Sequence, residues 1–553
     1  MKYPFDEFER EVRQKLAELG YPNAKIEEPK EEIADLAFPC FHLSKIFKKP
    51  PDKIAEDIAK NIGHGKWIGK VEAINGYVNF HINIKELANV VKEVGKDFGK
   101  GKKKNITVIV EHTSANPTGP LHIGRARNPI IGDSIARILK FGGYDVKTQY
   151  YVDDMGKQVA ILLWGIKNLK IRSDEKRLHY KYVKFYQEAA KLMEEDEKIR
   201  DEISNIIKKC EEGDKKVLEE IKKVYKPVLN GIIESLHQIN ISIDEFVEES
   251  KFVINGDVYN IINKLASLKY AKKDGRAIYL DLEDFGIHGR SKKFFLTRSD
   301  GTSLYAARDI AYHIWKGERA DMLIDILGED HKLEAEQVRI ALKLLNEKLP
   351  EVVFYSFVSL PEGRMSTRRG KVIYLDDLIE ESIERAKKEI RNRNMGREKI
   401  DYISQNVGIG AIRYNIIKVN PDKSIVFKWE DALNFEGESA PFIQYAHARC
   451  CSILKKAEIK EKSNYSFNHP SEIKLIKTIA KFPNFVRKAI NNRNPAIVAE
   501  YAYKLASDFN AFYRDCKVIG SKEEQDRLAL VNASKQILAS SLNLLGIEAL
   551  EEM

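Results

Sequence analysis

Residues 114–128 read SANPTGPLHIGRARN, and their side chains suit the handling of a phosphate. His122 and Arg125 are nitrogen donors able to reach phosphate oxygens. Pro117, Gly119 and Pro120 shape the stretch, and Gly124 permits a ligand to approach the backbone where a side chain would block it. The flanking elements decide what such a loop can do. TVIVEH (107–112) is a β-branched run that predicts a buried strand. After the loop, Ile131, Ile135, Ile138 and Leu139 recur on one face of a helix that Gly142 and Gly143 end. A loop between a strand and a helix N-terminus offers an anion converging N–H groups and the positive end of the helix dipole. The plain alternative is a tight βα turn whose histidine serves only as a helix N-terminal donor.

A second grouping follows in KKFFLTRSDGTSLYAARDIAYHIWK. Residues 298–301 predict a turn, with Thr302 or Ser303 capping the next helix. On that helix Tyr305 and Asp309 stand at i and i+4 and share a face. A carboxylate beside a phenol suits a guanidinium, whose planar fork takes the carboxylate at two points. From these residues alone, Asp309 could equally be a surface carboxylate beside Arg308. MLIDILGEDHKLEAEQ reads as strand, glycine-bearing turn and helix, with His331 in the turn. Farther on, RMSTRR (364–369) lies between Gly363 and Gly370. Such a flexible cationic loop suits the charge of a departing pyrophosphate, or is simply a basic surface loop.

Read whole, SANPTGPLHIGRARN resembles the HIGH signature of class I aminoacyl-tRNA synthetases in its arginyl form: Ser-x-Asn, five residues, His-x-Gly. Arg125 stands where that signature has its second histidine. RMSTR resembles KMSKS, the loop those enzymes close over triphosphate, with Arg364 for the first lysine and Thr367 for the second. YAARDIAY resembles the arginine-pocket helix of arginyl-tRNA synthetases. YVDDMGKQ resembles the family's strand ending in Asp-x-Gly-x-Gln, with Asp154 and Gln158 at matching positions. His331 is near the position that closes on substrate, although GEDH departs from the commoner glutamine-bearing forms.

The resemblance implies ATP contacts from Pro120, His122, Gly124, Arg125, Arg364, Met365, Ser366, Thr367 and Arg368, with Arg369 a further cation. It implies arginine contacts from Glu111, Ser114, Ala115, Asn116, Gln158, Tyr305, Asp309 and His331. Magnesium would arrive with ATP, and no metal-binding protein residues are expected. Family enzymes commonly need bound tRNA before they activate arginine.

Residues 1–98 precede the first of these strands. Pro50-Pro51-Asp52 starts a helix, and VEAINGYVNFHIN alternates like a strand pair around Asn75-Gly76. DLAFPC with GYVNF resembles the family's additional N-terminal domain, which touches the tRNA elbow; Tyr77 and Asn79 match its contacting positions. GKDFGKGKKKN (95–105) reads as a linker. The catalytic unit spans 105–380 and carries a helical insertion at 165–290, strongly charged to about 250. From 381 to 553 the pattern is helical, and GESAPFIQYAHARCCSI with LGIE resembles the family's anticodon-binding domain. Arg449, Tyr513 and Arg487 are its candidates for pairing and stacking with anticodon bases.

Composition sets the outer limits. A length of 553 residues calls for three or four domains. No apolar run approaches the roughly 20 residues of a membrane span. The charged start MKYPFDEFEREVRQKL predicts no secretory signal. Five cysteines without a CxxC or His/Cys cluster argue against a disulfide framework or structural zinc and suit a reducing cytoplasm. A net charge of +9 permits an RNA partner without demanding one.

The expectation is an α/β fold: a Rossmann-type parallel-sheet catalytic domain with a helical insertion, a small α/β N-terminal domain and an all-α C-terminal domain. It is identified as a member of the arginyl-tRNA synthetases, of archaeal type, a cytoplasmic monomer using ATP, L-arginine and tRNA(Arg). Two other classes fit parts of the sequence. A HIGH-bearing nucleotidylyltransferase acting without RNA has no need of the helical C-terminal region. A non-catalytic RNA-binding relative is favoured only by the departures at Arg125 and Thr367.

Overall fold

The computed structural model describes residues 3–29, 33–172, 175–359, 374–391, 395–458 and 463–553. The cationic loop, with Arg364, Met365, Ser366, Thr367, Arg368 and Arg369, lies outside them.

Near the N-terminus the helix Pro4–Glu18 packs on an antiparallel sheet of β1 (Leu36–Pro39), β2 (Ile68–Ile74) and β3 (Tyr77–Ile82), in the order β1-β3-β2. Asn75 and Gly76 join β2 to β3 with φ of 51° and 78°, the left-handed pair a two-residue hairpin needs. Pro51 occupies the first turn of the helix Pro51–Asn61, where a missing N–H costs nothing.

The chain then forms β4 (Thr107–Glu111), β5 (Asp145–Val152) and β6 (Glu245–Glu248). Next come a small antiparallel trio, β7 (Ala271–Asp274), β8 (Ala277–Asp281) and β9 (Lys293–Phe295), and then β10 (Met322–Gly328) and β11 (Glu351–Tyr355). Five of these make one parallel sheet in the order β11-β10-β4-β5-β6. Val108, Ile109 and Val110 are buried on both faces of β4, as the β-branched run predicts. Strand order reverses between β4 and β10, and in such sheets ligands bind beyond the strand ends at the reversal.

The signature helix, Ile123–Phe141, links β4 to β5 and ends at Gly142, with Gly143 at φ 88° in the left-handed position beyond it. It is buried on more than the one predicted face. The helices Arg397–Ile417, Pro470–Asn492 and Glu524–Leu544 pack against the side turned from the sheet.

The span 165–290 is not wholly a helical insertion. Leu178–Glu195, Glu197–Glu211 and Lys215–Gln238 do stack against the helix Lys157–Asn168. Glu245–Glu248, however, is the edge strand β6 of the central sheet, and β7 and β8 belong to the antiparallel trio. These strands are four or five residues long, and β7 is mostly charged, so no period shows in the sequence. Thr302 and Ser303 do not cap the helix Tyr305–Gly317, whose N-cap is Leu304. Asp300 accepts from the Thr302 amide and hydroxyl, while the Ser303 hydroxyl donates to Glu211.

The helices Ala440–Lys456, Pro470–Asn492, Ala496–Asp515 and Glu524–Leu544 form the C-terminal bundle. Lys477 Nζ lies 2.8 Å from Asp35 Oδ2, and Arg487 Nη1 donates to Asp6 Oδ2 at 2.6 Å, so the bundle holds the N-terminal domain. Arg487, a candidate for anticodon bases, is thus engaged by that domain. All five cysteines are buried free thiols.

Candidate active site

Beyond β4 the backbone turns through two strained residues, Thr113 at φ 73° and Ser114 at φ 36°. Non-glycine residues hold such angles only where neighbours fix them. Here the Thr113 amide donates to Asn128 Oδ1 at 2.6 Å, and Asn128 Nδ2 donates to the Ile326 carbonyl at 2.8 Å. Ser114 Oγ donates to Glu111 Oε1 and accepts from the Tyr151 amide, both at 3.0 Å. The Tyr150 hydroxyl donates to the Ala115 carbonyl at 2.6 Å. The loop is therefore pre-set by β4, β5, β10 and the signature helix together.

His122 is the extended N-cap of that helix, and no side chain caps it. The Arg125 amide donates to the His122 carbonyl at 2.9 Å, and the positive end of the helix dipole still faces the loop, where it favours an anion. Burial, helped by Arg125, holds the His122 pKa below its usual value. A Cβ on Gly124 would press the His122 ring at 3.0 Å, so this glycine leaves room for the imidazole over the helix start. Arg125 is exposed and makes no side-chain hydrogen bond among the described residues, whereas Pro120 is buried and shapes the loop from within.

A cavity of about 490 Å³ opens beside this loop. Ser114 and Asn116 line it from the loop, Gln158 from the helix after β5, Tyr305 and Asp309 from the helix Tyr305–Gly317, and His331 from the turn after β10. Glu111 and Ala115 stand behind this wall rather than in it, both buried. Tyr305 donates to Glu334 at 3.1 Å, and burial together with Glu334 pushes the phenol up to about 12, keeping it a donor. His331 Nδ1 lies 2.7 Å from Glu334 Oε2.

Further residues line the cavity that the sequence did not single out. Arg308 is 2% exposed and pairs with Glu211 of the helix Glu197–Glu211 and, at 3.3 Å, with Glu249. The helix Glu197–Glu211 thus steadies the cavity-lining helix Tyr305–Gly317. The Tyr151 ring stacks on Tyr312 at 4.3 Å, and its buried hydroxyl has no partner among the described residues. That orphaned donor faces a space able to hold a polar ligand.

Beneath the cavity a polar row crosses the sheet. Asp325, Glu111, Gln149 and Glu245 are register partners on β10, β4, β5 and β6. Lys316, fully buried, places Nζ 2.7 Å from both Glu111 Oε2 and Asp325 Oδ1. His313 Nε2 lies 2.8 Å from Asp325 Oδ2, and its Nδ1 lies 3.2 Å from Asp309 Oδ1. Ligand atoms of Glu111, His313 and Asp325 fall within 4.8 Å of one another, as metal ligands can, but Lys316 supplies a cation between the carboxylates. Burial would raise the Asp325 pKa, but Lys316 and His313 hold it far below the usual range. At Glu111 burial, joined by Asp325 and Asp309, outweighs Lys316 and His313 and moves the pKa up. Burial and Lys316 oppose charge on His313, yet Asp309 and Asp325 outweigh them and lift its pKa to about 10. The sequence signal was an acidic residue inside each of two apolar strands, VIVE and LIDIL, a placement that demands a buried partner.

Of the residues expected on RNA, Tyr77 packs edge-on against the exposed Phe41 at 5.1 Å, but Asn79, in the middle of the central strand, is only 5% exposed. Arg449 lies over both Tyr445 and Tyr513, at 4.7 and 4.9 Å, between clefts of about 540 and 420 Å³.

Comparison with known proteins covers almost the whole chain. Residues 86–429 match the family described as "tRNA synthetases class I (R), catalytic domain", 443–553 the "DALR anticodon binding domain", and 6–82 the "Arginyl tRNA synthetase N terminal domain". The chain is 45% identical to the arginine–tRNA ligase of Methanocella arvoryzae over 560 residues, covering 99% of each. It is 44% identical to that of Methanocaldococcus jannaschii, covering 94% of each. Its structure superposes on Thermus thermophilus arginyl-tRNA synthetase with a TM-score of 0.84, at 27% identity and 99% coverage of both chains.

Proposed function

The chain belongs to the arginyl-tRNA synthetases, and from that premise we propose that it joins L-arginine to tRNA(Arg) in two steps at the cavity described above. The arginine carboxylate attacks the α-phosphorus of ATP, pyrophosphate leaves, and arginyl-adenylate forms. A hydroxyl of the 3′-terminal ribose of tRNA(Arg) then attacks the activated carbonyl carbon, and AMP leaves. No protein nucleophile takes part; positioning and charge stabilisation supply the acceleration.

What supports the reading is a cavity walled on one side by Ser114 and Asn116 and on the other by Tyr305 and Asp309, at the strand-order reversal. Asp309 takes the guanidinium, with Tyr305 beside it. Asn116, Ser114, Gln158 and His331 contact the rest of the amino acid, and Glu111 and Ala115 act from behind by fixing the loop. The Tyr151 hydroxyl adds a free donor. Lysine, ornithine and citrulline would leave buried polar groups unpaired, the basis of strong rejection. His122, Gly124 and Arg125 meet ATP at the helix start, and the family resemblance adds Arg364, Met365, Ser366, Thr367 and Arg368 as further ATP contacts. Magnesium accompanies ATP as part of that substrate.

The N-terminal domain, 1–98, meets the tRNA elbow through Tyr77 and its neighbour Phe41. The catalytic domain spans 105–380, and 381–553 reads the anticodon through Arg449 and Tyr513. The protein acts as a cytoplasmic monomer, which analytical ultracentrifugation tests; no helix among the described residues is long and apolar enough to cross a membrane. An RNA-independent nucleotidylyltransferase leaves the match to an anticodon-binding domain without a purpose.

Charging of tRNA(Arg) with labelled arginine tests the assignment. Asp309→Asn is expected to lower kcat/KM for arginine by on the order of 100-fold, the worth of a charge-assisted contact. Unchanged charging, or equal charging with lysine, would sink it.

A further inference from the structure

The charged groups below the cavity form one unbroken chain. It runs from Asp309 through His313, Asp325, Lys316 and Glu111 to Ser114, with successive polar atoms 3.2, 2.8, 2.7, 2.7 and 3.0 Å apart. Both ends, Asp309 and Ser114, line the cavity, while the middle is buried. Charges alternate along it: three carboxylates hold two cations between them. Asp309, the carboxylate at one end, has a cation on one side only and lines the cavity with the other.

We propose that His313 is a positioning residue for the substrate's guanidinium, a fixed imidazolium that presents Asp309 as an ionised carboxylate in one orientation. The inference rests on Asp309 receiving that guanidinium. Its own support is geometric. His313 follows Asp309 by one helical turn, so the imidazole meets the carboxylate from below. Its Nδ1 sees only acceptors, the Asp309 carbonyl oxygen at 2.8 Å and Oδ1 at 3.2 Å. Its Nε2 sees the Asp325 carboxylate at 2.8 Å. A ring faced by acceptors at both nitrogens carries a proton on each. The remaining groups around it are the Tyr312 ring and Lys316 on its own helix, Asp325 on β10, and Glu111 on β4 beyond Lys316. Burial pushes against the charge, but Asp309 and Asp325 keep the imidazole protonated, in line with its raised pKa.

Held this way, Asp309 keeps Oδ1 on the imidazole, and the guanidinium supplies a cation on its open side. Preference for a cation over a neutral molecule of the same shape follows. Arginine and citrulline differ in just this respect.

The test uses the full-length enzyme with ATP and tRNA(Arg). His313→Gln can still donate to one carboxylate but carries no charge. It is expected to raise KM for arginine by on the order of 10- to 100-fold while KM for ATP stays within about twofold. The inhibition constant of citrulline is expected to stay within about twofold as well, so selectivity between the two collapses. Equal weakening of arginine, citrulline and ATP would mean a merely structural role and overturn the proposal. Nitrogen-15 NMR of histidine-labelled wild type, with His313 assigned by its loss in His313→Asn, needs no active variant. Both ring nitrogens are expected to stay protonated between about pH 6 and pH 9. An unprotonated ring nitrogen near neutral pH would also overturn it. Asp309→Asn separates the two readings. If it raises KM for arginine while His313→Gln does not, only the present inference fails; if it leaves KM unchanged, the guanidinium assignment itself fails.

Discussion

Replacing Lys316 by methionine keeps the methylene stem and removes the ammonium. The side chain is fully buried, and its Nζ stands 2.7 Å from carboxylates on two neighbouring strands. Glu111 and Asp325 are register partners, so their backbones lie about 4.8 Å apart. Without the lysine, two like charges about 5 Å apart repel by roughly 3 kcal/mol at an effective dielectric near 20. Loss of one partner from a buried pair costs about 3–5 kcal/mol, the same range. Lys316→Met is therefore expected to lower unfolding free energy by about 3–5 kcal/mol, read from the shift of the guanidinium chloride midpoint at constant slope. Removing the ammonium raises the pKa of both carboxylates relative to wild type, so the deficit should shrink as pH falls and they take up protons. Adding Asp325→Asn to the variant removes one orphaned charge, and the two substitutions should cost less together than separately by about 1–3 kcal/mol. A loss under about 1 kcal/mol, additive with Asp325→Asn and flat with pH, would refute the view that this ammonium neutralises the row.

Three further outcomes are expected. His313 has a folded pKa of about 10, above its usual 6.5, so its contribution to stability is complete below pH 6.5 and is lost as pH rises through about 10. Denaturant midpoints of wild type should fall toward those of His313→Gln across that window, and parallel curves would contradict this. Burial raises Asp154 from 3.8 to about 6, where it accepts from the Ser250 amide and hydroxyl at 2.8 and 2.6 Å. Its charge therefore costs stability as pH climbs through that interval. Asp154→Asn should stabilise by about 1–3 kcal/mol at pH 8 in thermal melts and have no benefit below about pH 4. Arg449→Ala removes the cation held over Tyr445 and Tyr513, and filter binding should show tRNA(Arg) retained on the order of tenfold more weakly. Unaltered retention would take Arg449 out of the RNA surface.

The strand, loop and signature helix were legible because β-branched and helical periods are local properties of TVIVEH and RNPIIGDSIARIL. Tyr305 and Asp309 were legible for the same reason, since i and i+4 fix a shared face wherever the helix lies. The polar row was not. Asp325 meets Glu111 only through the register of β10 on β4, and Gln149 meets Glu245 across four intervening helices. Arg308 looked like a surface companion of Asp309 because its partners, Glu211 and Glu249, come from the span read as an insertion. That span hid β6 because a four-residue strand at a sheet edge carries no period of its own. Asn79 matched a contacting position by type and shares a face of β3 with Tyr77. It lies, however, in the middle of the central strand between Ala37 of β1 and Glu72 of β2 and is buried there, while Tyr77 at the strand's start packs against the exposed Phe41. The cationic loop at 364–369 lies outside the described residues, and its part in the reaction rests on the family resemblance.

Arginine-dependent ATP–pyrophosphate exchange, run with and without tRNA(Arg) and with lysine and glutamate as controls, tests the central claim most directly. The expected result is exchange with arginine alone among the three, rising sharply when tRNA is present. No exchange under any condition, despite tight binding of tRNA(Arg), would contradict it and leave a non-catalytic RNA-binding member of the family.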